Sequence, residues 1–276
     1  MPHFVAVLVA VAAVLAAPAA SAAPSYPWLD GGDAVPLGDR FGAPDEFSRV
    51  RVADGTFARW LRSLPTVPER TTVRAHDGSD LDRPAAAIVR MDVGRGDLQQ
   101  CADSAIRLHA EFLWASGRAE DAAYHFTSGD RSAWADWRDG ERFDVSGSRV
   151  KRVRGSAVSG HSGFRGWLQH LFRYAGTRSL RHDSEPVAQT DALRAGDLFL
   201  EPGSPGHVVM ILDIAEDAGG RRVALLGQGF MPAEEFHVLR SSDAKDGVWF
   251  VLPGPGESIR TPSWRPFHRR DVRRFR

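Results

Sequence analysis

The 276-residue sequence has a single cysteine, Cys101, and no asparagine. One cysteine cannot form an intramolecular disulfide, so packing alone must hold the core. Without asparagine, N-linked glycosylation is excluded, and so is asparagine as the orienting member of a catalytic triad. Charge of one sign is also lacking in excess, because 35 Lys and Arg balance 35 Asp and Glu. That balance argues against nucleic acid as a partner. No H-E-x-x-H, P-loop or G-x-S-x-G pattern occurs, so zinc-peptidase chemistry, nucleotide use and the serine-hydrolase elbow lack support. Neither a cofactor nor a metal site is expected. Asp77, Asp80 and Asp82 do not have EF-hand spacing and read as a solvated acidic turn.

Long hydrophobic runs are scarce, with one exception at residues 4–17. That run falls short of the roughly 20 residues needed to span a bilayer. The Ala20-Ser21-Ala22 stretch behind it has the form of a signal-peptidase site. Residues 1–22 are therefore expected to be a cleaved secretory signal, with no stable membrane insertion afterwards. The expected location is secreted or periplasmic, in or near the cell envelope. Residues 23–48 read as an extended lead-in, and residues 49–276 as one domain large enough to bury a core. Arg265, Arg269, Arg270, Arg273, Arg274 and Arg276 crowd the final stretch, opposed by Asp271. They read as a solvated segment, with contact to an anionic cell surface as the alternative.

Hydrophobic spacing places a helix behind Asp97, taken as N-cap with Gln100 at N3, and puts Cys101, Ala105, Leu108 and Phe112 on one stripe. Thr56 caps a short helix over residues 57–64, and residues 164–174 form another. Residues 139–162, polar and rich in Gly and Ser, read as a long loop. Past Gly196 the period becomes that of strands, with 207–214 and 223–228 meeting in a hairpin at Asp217-Ala218-Gly219-Gly220. Helices first and an antiparallel meander after them predict an α+β fold.

A thiol reacts as its thiolate, which a helix N-terminus and a nearby imidazolium both favour. Cys101 in the first helical turn is the candidate nucleophile. His207, at the head of a strand after Gly203-Ser204-Pro205-Gly206, is the candidate base. The hairpin register sets Gln228 opposite His207, as the group that fixes its tautomer; a one-residue slip would turn Gln228 to the other face. Gln99 is either an oxyanion donor beside Cys101 or a surface residue of the first turn. His237 is a reserve base or, preferably, a surface histidine.

Cys101 at a helix start, Gly196-Asp197-Leu198-Phe199, Gly206-His207-Val208-Val209 and a polar residue on the next strand resemble the papain-like NlpC/P60 and CHAP cysteine peptidases. Those families cut amide bonds in bacterial cell-wall peptides. The resemblance implies a papain-like arrangement of helices packed on an antiparallel β-meander, with Cys101, His207 and Gln228 as nucleophile, base and orienter. The segments 97–103, 174–177, 203–207 and Met231-Pro232-Ala233 resemble an exported bacterial family, domain of unknown function 4846, over nearly the whole mature chain. That resemblance carries no established activity. The expected function is a cysteine hydrolase acting on peptide or cell-wall-derived amides. A non-enzymatic envelope-binding module is the alternative, and acyl transfer to a second amine stays open. The sequence leaves the oligomeric state undetermined.

Overall fold

The run of Val, Met, Ile and Leu behind His207 forms an eleven-residue strand in the computed structural model, which describes residues 24–241 and 247–276. The expected signal segment, residues 1–22, lies outside the described residues. The strand sits centrally in a nine-stranded antiparallel sheet. In chain order its members are β1 (Phe47–Arg49), β2 (Ala85–Ile88), β3 (Ser184–Pro186), β4 (Leu198–Glu201), β5 (His207–Asp217), β6 (Arg222–Gln228), β7 (His237–Leu239), β8 (Trp249–Val251) and β9 (Val272–Phe275). The spatial order is β3-β9-β4-β5-β6-β7-β2, with β1 joined to β5 and β8 to β6. The helices used below are α1 (Phe57–Arg62), α2 (Cys101–Ala115), α3 (Trp134–Arg138), α4 (Gly160–Leu171) and α5 (Thr177–Leu180).

The sheet is covered on both faces, so its central strands are apolar throughout. Val208, Met210 and Leu212 share one core with Ala105, Ile106 and Leu108 of α2. Val209, Ile211, Ala224 and Leu226 share the other with Ile259 and Phe267. Those two belong to a hairpin of Ser258–Thr261 and Trp264–His268 that closes the second face.

The papain-like α+β expectation is corrected. The fold is β-rich, mostly antiparallel sheet, and only 21% helical. Two segments that look irregular in sequence account for much of the difference. The expected loop at 139–162 contains a hairpin of Glu141–Ser146 and Arg149–Arg154, where charged residues on an exposed ribbon hide the alternation. The arginine-rich tail is not a solvated segment either. Its strand β9 lies between β3 and β4. Arg274 pairs with buried Asp197 at 2.6 Å, and Arg273 donates to the Ser184 hydroxyl at 2.9 Å. Arg265 binds Glu201, and buried Arg269 donates to the Ala188 and Asp191 carbonyls.

The segment 23–48, read as an extended lead-in, is packed where it is described. Tyr26 and Trp28 stack around Trp60 of α1, at 5.0 and 5.7 Å between ring centres. Val35 and Pro36 pair with Thr66 and Pro65, and Leu37 is fully buried. Thr56 caps α1, its Oγ1 accepting from Arg59 N at 3.2 Å. No helix among the described residues is long and apolar enough to cross a membrane.

Candidate functional site

Helix α2 begins three residues later than its sequence cap suggests. Gln100 is the N-cap, and its N–H donates to Asp103 Oδ2 at 3.2 Å. Asp97 instead accepts from Gln100 Nε2 at 3.0 Å and from Ala233 N at 2.6 Å, tying the helix start to the segment beyond β6. Cys101 is thus the first helical residue, where the N–H groups of the helix are unspent. Its side chain is buried. Burial pushes its thiol up to about 12, and the Asp103 carboxyl adds to the rise. The N–H groups of Ala102, Val208 and Cys101 itself oppose it. The resting thiol is therefore protonated at neutral pH.

His207 opens β5 and is fully buried. Its Nε2 lies 2.8 Å from Gln228 Oε1. An amide oxygen can only accept, so Nε2 carries the proton and Nδ1 is left as a bare base. Nδ1 has no hydrogen-bond partner among the described residues. Burial lowers the His207 pKa to about 4, partly offset by the bond to Gln228. Phe230 and Trp264 stand 4.9 and 5.1 Å from the imidazole and shield it from water.

The meeting of His207 and Gln228 has a different origin from the register read in sequence. On the ladder His207 pairs with Glu201, and Gln228 pairs with His237. The β5–β6 register also shifts between Ile211 and Asp213. The side chains meet because His207 lies on the same face as Val209 and Ile211, and Gln228 on the same face as Leu226. Cys101 belongs to the opposite core, with Val208. The thiol therefore faces the Val208 N–H on one side of β5, while the imidazole of the preceding residue leaves the strand on the other side, and no hydrogen bond joins the two.

Gln99 is not at the surface, and its Nε2 donates to the Asp92 carbonyl at 3.4 Å. It is 1% exposed, and its Oε1 accepts from Arg107 at 2.8 Å. Arg107 also holds Asp92 at 2.5 Å, and Glu111 of the same network receives His161 Nε2 at 2.8 Å. Gln99 braces this charged cluster on α2. The preference for a surface His237 is corrected too. It is fully buried, sits opposite Gln228, and lies 3.6 Å from the buried Glu234. Its pKa is lowered to about 4, chiefly by burial, with Arg83 and His207 adding to the fall and the bond to the Glu235 carbonyl opposing it.

Asp103, Ser104 and Glu234 were not singled out in the sequence. Asp103 Oδ1, Ser104 Oγ, Gln228 Nε2, Glu234 Oε1 and His237 Nε2 join His207 Nδ1 as buried polar atoms with no partner among the described residues. At Gly229 a Cβ would stand 2.6 Å from Ser104 Oγ, so the start of α2 packs directly against the chain that leaves β6. Asp103 and Ser104 follow Cys101 on the first turn of α2, so a polar pair there was the available signal. Gly206 is just as tight: a Cβ would come within 2.2 Å of Thr177 Oγ1. Among the described residues no group of three or more His, Cys, Asp or Glu could hold a metal ion.

The sequence matches a known family from residue 37 to residue 274, which includes every residue of this site. The chain belongs to the family described as Domain of unknown function (4846). Searches of curated proteins and of solved structures gave no match. The more distant likeness to NlpC/P60 and CHAP peptidases finds no support in these comparisons. The domain of unknown function begins at Leu37, inside the segment read as a lead-in, in keeping with the complete burial of that leucine.

Proposed function

We propose that this protein is an exported cysteine hydrolase that cleaves an amide bond in a cell-envelope peptide. The observation that carries the reading is the 2.8 Å bond from His207 to Gln228. It leaves a bare, dry Nδ1 on the chain neighbour of Val208, whose N–H faces the Cys101 thiol. In the proposed reaction the Cys101 thiol gives its proton to His207 Nδ1, and the sulfur attacks the substrate carbonyl carbon. The N–H groups of Cys101 and Ala102 at the start of α2 receive the oxyanion. His207 then protonates the leaving nitrogen as the C–N bond breaks. Water, giving a proton to His207, cleaves the thioester and restores the thiol. At rest the thiol lies in the core with Val208 and the imidazole on the other face of β5, so substrate must move the head of β5 until sulfur and Nδ1 meet.

The test is hydrolysis of a panel of envelope peptides by wild type, Cys101→Ala and His207→Ala. Cys101→Ala should abolish turnover and His207→Ala should lower it by about a hundredfold or more. Full activity in Cys101→Ala would refute the reading. The raised thiol pKa and the burial of Cys101 and His207 favour a second reading, a non-enzymatic envelope-binding module. In that case neither variant alters any turnover, and the polar cluster lines a binding site or stabilises the fold.

A further inference from the structure

A cleft of about 690 Å3 reaches Pro202 and Gly203, at the start of the turn that delivers His207. It is lined by His125, Arg178, Arg181, His182, Pro202, Gly203 and Arg276. Five of these seven residues are arginine or histidine, and none is Asp or Glu. The Asp183 carboxylate behind His125 is buried and already engaged: its oxygens meet His125 Nδ1 at 2.6 Å and His125 N at 3.2 Å. That pairing fixes the His125 ring at the cleft wall. The His182 ring is 5.9 Å from it.

The arginines here differ from those elsewhere in the C-terminal region. Arg265 and Arg274 are matched to Glu201 and Asp197. Arg178, Arg181 and Arg276 have no acidic partner among the described residues, yet they crowd one another. Burial first, then the like charges of Arg181 and Arg276, hold the neighbouring Arg273 below the usual arginine range, with Glu185 only partly opposing them. Unbalanced cations gathered in a concave site raise the local potential and attract an anion. Three guanidinium forks present more donors than the two oxygens of a carboxylate can accept. A phosphoryl group offers three acceptor oxygens and up to two negative charges.

We propose that this cleft binds a phosphate-bearing ligand, gripped by Arg178, Arg181 and Arg276 and flanked by His125 and His182. The site is independent of cysteine chemistry. It abuts that chemistry through Gly203, which begins the turn leading to His207 and is held by Thr177, whose Oγ1 accepts from Gly203 N at 3.2 Å. A ligand seated here would rest on the strand connection that sets the position of the imidazole.

The experiment is calorimetric titration of the full chain with inorganic phosphate and, separately, acetate at low salt. Phosphate should bind saturably, weaken as salt is raised, and bind more tightly than acetate. Arg178→Gln and Arg181→Gln should each weaken it about tenfold, as loss of one charge-assisted bond would. The side chains of these two arginines hold no other described element, so unchanged melting temperatures are expected. Cys101→Ala should bind phosphate as wild type does, separating this site from the proposed reaction. Absence of saturable phosphate binding, equal affinity for acetate, or unchanged affinity in both arginine variants would overturn the proposal.

Discussion

His207 Nε2 and Gln228 Oε1 lie 2.8 Å apart although their backbones are not ladder partners. The bond therefore depends on both side chains leaving the sheet on one face, just beyond the last β5–β6 ladder pair, Met210 with Gly227. It fixes which imidazole nitrogen is protonated, and so which one can act as a base.

Altering the acceptor should separate structure from chemistry. Gln228→Leu leaves Nε2–H buried and unpaired, which should cost about 1–3 kcal/mol of stability in a urea melt. Gln228→Glu keeps an acceptor but adds a negative charge, so the His207 pKa should rise above its present value of about 4. An NMR titration of the imidazole protons reads that shift directly. An unmoved pKa would show that the 228 side chain does not reach the ring.

The buried histidines make a further statement about pH. His207 and His237 are both held near 4 by burial. Their resonances should stay in the neutral form from pH 8 down to pH 5. For a ring whose folded pKa is depressed, the unfolded chain binds the proton first, so its contribution to stability is present above about 6.5 and is lost as pH falls toward 4. Buried Asp103 acts in the opposite sense, because its carboxyl is raised by burial. A global acid melt sums these terms, whereas the two ring titrations isolate the histidines. A midpoint near 6.5 for either ring would mean that water reaches it.

Much of the core was legible because its periodicity is strong. The helix behind Gln100 and the strands His207–Asp217 and Arg222–Gln228 follow from uninterrupted apolar patterns and a Gly-Gly turn. The fold class was not legible, because half the residues of the exposed ribbon at 141–154 and of the tail strand Val272–Phe275 are charged. Charged residues mask strand alternation when they are balanced by acids distant in sequence, as Arg274 is by Asp197. Gln99 and His237 misled for the same reason. A polar residue in sequence carries no mark of the buried partner that satisfies it, and for Gln99 that partner is Arg107. Gln228 could be singled out because it ends an apolar strand beside a histidine, although the route by which the two meet could not.

The turn before His207 should tolerate no added carbon. At Gly206 a Cβ would sit 2.2 Å from Thr177 Oγ1, 2.5 Å from Gly203 N and 2.8 Å from Glu201 O. Gly206→Ala should therefore lose about 3 kcal/mol in thermal or urea unfolding, an overpacking cost. Adding Thr177→Ala removes the hydroxyl clash and leaves the two backbone clashes. The double variant should recover only part of the loss. A neutral Gly206→Ala would show that the turn has room to shift and does not fix His207 by close packing.

The two functional readings diverge most clearly in the reactivity of Cys101. A thiol pushed up to about 12 by burial should react slowly with iodoacetamide at pH 7. Its rate should still be climbing tenfold per pH unit near pH 10, because only the thiolate attacks. A peptide carrying an electrophilic carbonyl is a different probe. If the site performs acyl chemistry, seating the peptide moves the head of β5 so that His207 Nδ1 takes the thiol proton. Labelling by the peptide should then exceed labelling by iodoacetamide at pH 7, and it should collapse in His207→Ala. If the cluster serves binding or stability alone, both reagents should follow the same pH curve and His207→Ala should change neither. The comparison needs no knowledge of the natural substrate, since the substitution at His207 reports whether the imidazole ever receives the proton.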